Sequence, residues 1–563
     1  MSYISNEILI SLLKQYNISK LVLSSGSRNI PFVSAVETDS DFECFSVIDE
    51  RNAAFFALGI SQQTDEPVAI ACTSGTAASN YLSGITEAFY SDTPIVVITF
   101  DRSPYSLNQL ETQKIDQNSI FTSVCRKSVS LPVVKDNDDI WYCNRLINEA
   151  LISIEKSKGP VHINVSITGG QNDLVDASIN YKKAENTRKI EYISENSDKW
   201  NMMSEKLMNA QNILFVMGQT SNISQRTKSA MDTFFEKTKC PLLSDNLSNY
   251  RTGSMIFAET TIKALNSKTV SALLPDIIIT MGHNFQERIK DIFRANNSSF
   301  EHWSIEPSGE VKDVFKNETA LFDCEPAFFF EKMNEYISDC DNSGYYDKWK
   351  KIEDAAILPD MEYSNFYAIG ELSKVIPDNS TLHLSILNAT RIMQFYKLNP
   401  SIKVFSNVNA FGIDGCLPAF MGQAFLTDEL AFLVTGDLSF FYGMNALSIK
   451  HRKNNIRILL INNGGGAEFH IMPDSNSIPT IDLHIGAAHS RTAKEWAVSS
   501  GYEYLYANNK ETFSISLEKF IRKDNDSPVL FEVFTDMKHD GEHLLSVYRY
   551  LEKQIEKTII EME

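Results

Sequence analysis

The sequence predicts an α/β protein made of three doubly wound, parallel-sheet domains. Apolar runs of strand length alternate with segments of helical spacing along the whole chain. Small and polar residues recur where those runs end, which is the edge at which open parallel sheets bind ligands. Two polar stretches, residues 168–198 and 342–359, read as linkers between parts of similar size. The domains expected are therefore 1–180, 195–345 and 360–563.

At 563 residues the chain is too long for one core. Its 43% hydrophobic and 22% charged residues are those of an ordinary globular protein. A formal net charge of −20 offers no basic face for counterion release, so no nucleic-acid partner is expected. Eight scattered cysteines form no CxxC pair and ten histidines no HExxH, so neither a disulfide framework nor a zinc site is expected. No run reaches 18 apolar residues, and residues 1–16 read as a short amphipathic helix without the basic region of a secretion signal. No membrane span is expected, and the cytoplasm is the expected compartment.

In the first domain, residues 20–24 read as a strand delivering Ser25-Gly26-Ser27-Arg28-Asn29, with Pro31 suited to a first helical turn. A second strand ends at Ile48-Asp49-Glu50-Arg51, before an Ala/Phe-rich helix over 52–60. Residues 68–73 lead to Ser74-Gly75-Thr76, residues 94–100 lead to Asp101-Arg102, and 160–166 finish the domain. The middle domain repeats the alternation with strands at 212–217, 241–244, 276–281 and 302–305. No GxGxxG follows any of them, which leaves a nicotinamide site without support. The pair His539 and His543, with Gly541 between them, reads as a polar loop.

The last domain holds the most informative stretch, residues 430–473. An apolar run over 430–435 ends at Gly436-Asp437-Leu438-Ser439, and a segment with helical spacing follows at 444–453. A second run over 456–461 delivers Asn462-Asn463 and the glycines Gly464, Gly465 and Gly466. Asp437 and Asn463 lie 26 residues apart, yet each closes a strand, and one crossover would bring both to the same sheet edge. A carboxylate, an amide oxygen and a glycine carbonyl suit a hard cation that keeps positions open for phosphate. Glycines let the backbone approach phosphates, and a following helix offers them its unpaired N–H groups. Either half alone is an ordinary turn; the two in strand–turn–helix–strand–turn order form a cofactor clamp.

This clamp resembles the metal–diphosphate motif of the thiamine diphosphate enzymes. The resemblance implies that Asp437, Asn463 and the carbonyl of Gly465 hold Mg²⁺ (or Mn²⁺). It also implies that Ser439, with Gly436, Leu438 and Gly466, holds thiamine diphosphate. Within that superfamily the chain resembles the MenD family of carboligases over nearly its whole length. The residues that carry this are Ser25 to Pro31, Asp49-Glu50-Arg51, Thr73-Ser74-Gly75-Thr76, Asp101 to Pro104 and Gly412-Ile413-Asp414-Gly415. The implied architecture is a pyrimidine-binding, a central and a diphosphate-binding domain, in an obligate homodimer or a pair of such dimers.

The resemblance also assigns roles to single residues. Glu50 would hold the cofactor's aminopyrimidine in the imino form that takes the thiazolium proton. Ser74 and Ile413 would bind the cofactor, Ile413 as the apolar wedge between its rings, and Gln113 would stand near the reacting atoms. Ser27, Arg28, Arg102, Arg288 and Arg391 would surround carboxylated substrates, a 2-oxoacid donor and an acceptor; arginine's planar fork suits carboxylates. The chain departs from the family at four places. Val408 stands where an arginine faces the donor's distal carboxylate, and Glu287 replaces a lysine. Ala467-Glu468 replaces a polar–aliphatic pair, which puts Glu468 in the substrate pocket, and Gly443 replaces an aspartate. These changes favour a decarboxylating carboligase with altered donor or acceptor over one that joins 2-oxoglutarate to isochorismate. A catalytically silent binding protein of the same fold is the remaining alternative.

Overall fold

The computed structural model describes residues 4–64, 66–168, 187–220, 222–265, 267–338, 340–472 and 477–560. The chain divides into two compact units, Met1–Asn196 with Pro307–Asp323, and Ser197–Glu306 with Cys324–Glu563. Three principal parallel sheets run through it, as the alternation of apolar runs requires.

The first unit holds strands β1 (Lys20–Leu23), β2 (Glu43–Ser46), β3 (Val68–Cys72), β4 (Ile95–Asp101), β5 (Ser128–Leu131) and β6 (Val161–Ser166). Their order is β2-β1-β3-β4-β6-β5, and every neighbouring pair is parallel. Strand alternation sends Leu21, Leu23, Ala69 and Ala71 into a core with Ile8, Leu12 and Ile147. Val22, Val68, Ile70 and Cys72 face the opposite core, with Ala53, Ala57 and Ile85. Both faces are covered by helices, the only way a parallel sheet of continuous apolar strands is stable.

β7 (Glu191–Ser194) also belongs to the first unit and pairs in parallel with β13 (Glu318–Asp323). It lies inside the expected linker 168–198, whose residues 169–186 fall outside the described part. A four-residue strand among polar neighbours is too short to show a period. The second expected linker is corrected too: Ser343–Ala355 is a helix, with Tyr345, Trp349 and Ile352 buried. Their spacing of four and three is one helical face, outweighed in the sequence by surrounding charge.

The second unit holds two sheets. β8 (Ile213–Met217), β9 (Leu242–Ser244), β10 (Met255–Phe257), β11 (Ile277–Met281) and β12 (Glu301–Ile305) run in the order β10-β9-β8-β11-β12. The other sheet comprises β14 (Thr381–Leu384), β15 (Lys403–Ser406), β16 (Ala431–Gly436), β17 (Ile456–Asn462), β18 (Glu503–Ala507) and β19 (Val529–Phe534). Its order is β15-β14-β16-β17-β19-β18, again parallel throughout. β16 and β17 are neighbours with Gly436 beside Ile461, so Asp437 and Asn463 emerge together.

Two local expectations change here. The helix after β16 is Asp437–Gly443, and Met444–Ser448 is a 3₁₀ turn, so the chain turns helical at once at the sheet edge. His539 and His543 stand on the helix Met537–Ile560, their rings stacked 5.9 Å apart, which is i,i+4 spacing rather than a loop. Position 473, the last of the expected clamp, lies outside the described residues. Among the described residues no helix is long and apolar enough to cross a membrane. All eight cysteines are free thiols, seven of them buried.

Candidate active site

In the first unit the sequence-selected residues occupy the turns at the C-terminal ends of β1 to β4. Ser27 and Arg28 follow β1, and the Arg28 backbone N–H donates to Thr73 Oγ1 at 3.2 Å. Gly26 permits that contact, since a Cβ there would lie 2.3 Å from the Thr73 side chain. Glu50 opens the helix Glu50–Thr64 just beyond β2. Ser74 follows β3, and its Oγ is buried without a hydrogen-bond partner among the described residues. A buried hydroxyl without a protein partner is available to a polar ligand.

The loop after β4 is pinned from below. Lys114 Nζ donates to Asp101 Oδ2 at 2.6 Å, both side chains almost fully buried. Gln117 accepts from the Gly75 N–H at 2.7 Å and donates to Asn164 at 3.0 Å. Gln113 takes a left-handed backbone, φ +56°, and a Cβ on Gly75 would stand 3.3 Å from its Cα. The Ser74 and Gln113 turns therefore adjoin. Arg102 is paired with Glu111 at 3.0 Å. The motif reading did not select Lys114 or Gln117, because neither sits at a strand end.

In the second unit the clamp is assembled. The buried Asp437 carboxylate accepts the backbone N–H groups of Gly464 at 2.8 Å and Gly465 at 3.1 Å through Oδ2, and that of Leu438 at 2.6 Å through Oδ1. Burial outweighs these donors and pushes its carboxyl up to about 6. A buried carboxylate so placed, with no cationic side chain hydrogen-bonded to it among the described residues, fits a bound cation. His489 Nε2 stands 3.5 Å away, and burial lowers that imidazole's basicity. Asn463 donates its side-chain Nδ2 to Asp540 Oδ2 at 3.0 Å.

The glycine run bends sharply at this point. Gly465 has φ +153°, and a Cβ there would meet the Gly486 carbonyl oxygen at 2.7 Å. Gly466 N–H donates to that same oxygen at 2.7 Å. Ser439 Oγ donates to the Ile413 carbonyl at 2.6 Å, tying the Gly412–Gly415 turn to the start of the helix after β16. Among the described residues no cluster of three His, Cys, Asp or Glu side chains could hold a metal. A cation here would need the mixed set of one carboxylate, one amide oxygen and one backbone carbonyl, which is a hard-cation set.

Arg391 and Glu468 come together as a two-pronged ion pair. Arg391 Nη1 donates to Glu468 Oε2, Nη2 donates to Oε1 at 3.0 Å, and Nη1 also reaches Asn388 Oδ1 at 2.7 Å. Burial works against the guanidinium charge, but Glu468 more than offsets it and raises the group above the ordinary arginine value. Around this pair lies a partly buried charge cluster that the sequence did not reveal. Burial pushes the Glu259 carboxyl, 3% exposed, up to about 7. Burial lowers the Lys263 ammonium, Glu259 opposes that, and Arg391 and Arg288 add to it. Lys263 Nζ sits 4.5 Å over the Tyr548 ring. Arg288 is exposed on the helix Glu287–Arg294, where Glu287 pairs with Lys290 at 3.1 Å. Val408 is buried.

The chain matches the family model described as "Thiamine pyrophosphate enzyme, N-terminal TPP binding domain" over residues 5–120. It is 33% identical to the 2-succinyl-5-enolpyruvyl-6-hydroxy-3-cyclohexene-1-carboxylate synthase of Bacteroides fragilis, covering 96% of this chain and 98% of that one. The synthase of the same name from Bacteroides thetaiotaomicron is 33% identical over 97% and 98% of the two chains. That of Flavobacterium johnsoniae is 30% identical over 94% and 95%.

The Glu259 carboxyl yields a pH prediction. Its folded value, about 7, is raised above the ordinary 4.5, so the folded state binds its proton more tightly than the unfolded state does. It therefore costs nothing at low pH, and the cost grows through pH 4.5–7 and is complete above that. Glu259→Gln should raise the unfolding free energy at pH 8 by about 1–3 kcal/mol, and clearly less at pH 5.5. Denaturant titrations at the two pH values measure this.

Proposed function

This chain belongs to the family of 2-succinyl-5-enolpyruvyl-6-hydroxy-3-cyclohexene-1-carboxylate synthases, which are thiamine diphosphate enzymes, and from that premise we propose a carboligase with its own donor preference. A 2-oxoacid loses its carboxyl group as CO₂, and the acyl fragment keeps the bonding electron pair and joins the acceptor carbon. Thiamine diphosphate, when bound, supplies the nucleophilic carbon and the electron sink that this chemistry needs.

The chain's own residues divide the remaining work. Asp437, Asn463 and the Gly465 carbonyl hold Mg²⁺, and Gly436, Leu438, Ser439 and Gly466 line the diphosphate. In the second unit Ile413 would be the apolar wedge between the cofactor's rings; in the first, Ser74 would bind the cofactor and Glu50 would hydrogen-bond its aminopyrimidine. Ser27, Arg28 and Arg102 of the first unit, and Arg288, Arg391 and Glu468 of the second, would each contribute to substrate binding, and Gln113 would stand near the reacting atoms. The chain would divide into pyrimidine-binding, central and diphosphate-binding domains near the expected bounds 1–180, 195–345 and 360–563, with the strand Glu191–Ser194 and the helix Ser343–Ala355 standing in the expected linkers. The working form would be a cytoplasmic homodimer or a pair of dimers. Ile48, Phe55 and Phe56, exposed on either side of Glu50, are the kind of apolar surface a second subunit covers.

The Arg391–Glu468 pair carries the donor assignment. An arginine already neutralised by a bidentate carboxylate has little left for a substrate's distal carboxylate. With the buried, apolar Val408 where the resemblance places an arginine, this favours a short donor such as pyruvate. The full-length likeness to the 2-succinyl-5-enolpyruvyl-6-hydroxy-3-cyclohexene-1-carboxylate synthases favours the second reading, 2-oxoglutarate with isochorismate as acceptor.

Two measurements test this. With Mg²⁺ and thiamine diphosphate, pyruvate should be consumed with kcat/KM at least about tenfold above 2-oxoglutarate, the worth of one charged hydrogen bond. Efficient, isochorismate-dependent CO₂ release from 2-oxoglutarate would establish the second reading. Glu50→Gln should fold normally and turn over about 10²–10⁴ times more slowly. Unchanged turnover would remove Glu50 from its role.

A further inference from the structure

An asparagine amide is a two-faced ligand. Its oxygen and nitrogen occupy nearly the same volume, and only the oxygen can bind a cation. Something must decide which of the two faces outward. At Asn463 the structure supplies the deciding group from the far end of the chain.

Asp540 stands in the first turn of the helix Met537–Ile560 and is fully buried. Its three hydrogen-bonding partners all donate to it. Asn365 N–H reaches Oδ1 at 2.9 Å, while Asn463 Nδ2 at 3.0 Å and Thr535 Oγ1 at 2.6 Å reach Oδ2. An acceptor fixed on that side admits only the NH₂ end of the Asn463 amide, so Asn463 Oδ1 is left on the opposite side. The loop beyond Asn463 is held just as closely, by Asp437 Oδ2 on Gly464 and Gly465. Gly541 lets the helix come near enough. A Cβ there would stand 2.8 Å from the His470 Cβ and 3.1 Å from the Ala467 carbonyl oxygen.

We propose that Asp540 is a positioning residue that sets the orientation of the Asn463 side-chain amide and so presents its oxygen to the divalent cation of the cofactor site. The inference rests on the functional reading above and adds to it a residue that no motif contains. Partners that orient a metal ligand typically matter about ten- to a hundredfold in metal affinity.

The test is a calorimetric titration of Mg²⁺ into the full-length protein with saturating thiamine diphosphate, compared across four proteins: wild type, Asp540→Asn, Asn463→Asp and the double variant. Asp540→Asn keeps the volume. Its oxygen must still accept from Asn365, which turns an NH₂ toward Asn463, and two facing donors force the Asn463 amide over. Mg²⁺ should then bind about 10–100-fold more weakly. In the double variant, Asn463→Asp combined with Asp540→Asn, the new NH₂ again meets an acceptor. The other oxygen of the carboxylate introduced at position 463 then faces outward. That protein should recover at least about tenfold of the loss.

A new carboxylate strengthens Mg²⁺ binding by itself, so Asn463→Asp alone sets the reference. A role confined to holding Asn365 and Thr535 would make Asp540→Asn weaken binding equally in the wild-type and Asn463→Asp backgrounds, whereas the orientation role makes it weaken binding only in the first. Wild-type affinity in Asp540→Asn, or a double variant no tighter than Asp540→Asn, overturns the inference while leaving the cofactor reading intact. If Asp540→Asn does not fold by circular dichroism, the double variant decides: folded and Mg²⁺-binding supports the role, unfolded refutes it. Absence of Mg²⁺-dependent cofactor uptake by the wild-type protein would remove the functional reading itself, and this inference with it.

Discussion

The site depends on one buried carboxylate. Asp437 leaves β16 at the moment Asn463 leaves the neighbouring β17, because the two strands are parallel and in register at Gly436 and Ile461. Its Oδ2 then accepts two consecutive N–H groups of the glycine run, which fixes that loop's path. The consequence is electrostatic. A carboxylate almost out of water, facing backbone dipoles and, among the described residues, no cationic hydrogen-bond donor, is costly without a positive partner. The glycines are not decoration around it, since side chains at 465 and 466 would strike the Gly486 carbonyl and the Phe469 ring respectively.

The first unit solves a different problem with the same edge. Four strand ends carry Arg28, Glu50, Ser74 and Arg102, and buried polar bonds beneath them hold the turns in place. The Lys114–Asp101 ion pair and the Gln117 amide are spent on the backbone and on Asn164. Such groups are costly to bury, so their full pairing means that the turns they hold are defined in position. The Arg391–Glu468 pair of the second unit follows an opposite logic: Arg391 is charged but already paired with Glu468, and charge is retained while its availability is reduced.

How much of this the sequence revealed depends on the kind of signal each feature leaves. The strands bearing the clamp were legible because β16 and β17 are apolar over most of their length and end in Gly-Asp and Asn-Asn-Gly. Burial on both faces writes itself as a continuous apolar run. The helix Ser343–Ala355 was hidden because only Tyr345, Trp349 and Ile352 face inward among ten other residues. Gly541 made a helix look like a loop, yet the glycine is there because the helix passes close to His470. Asp540 and Glu259 left no mark at all. A lone acidic residue has no period and no spacing, and only the packing shows that one faces Asn463 and the other is buried beside Lys263.

Calorimetry of thiamine diphosphate with the purified protein tests the central claim most directly. The account predicts saturable binding that requires Mg²⁺ and is lost when the Asp437 carboxylate is replaced. No uptake at saturating Mg²⁺, or uptake indifferent to Asp437, would contradict it.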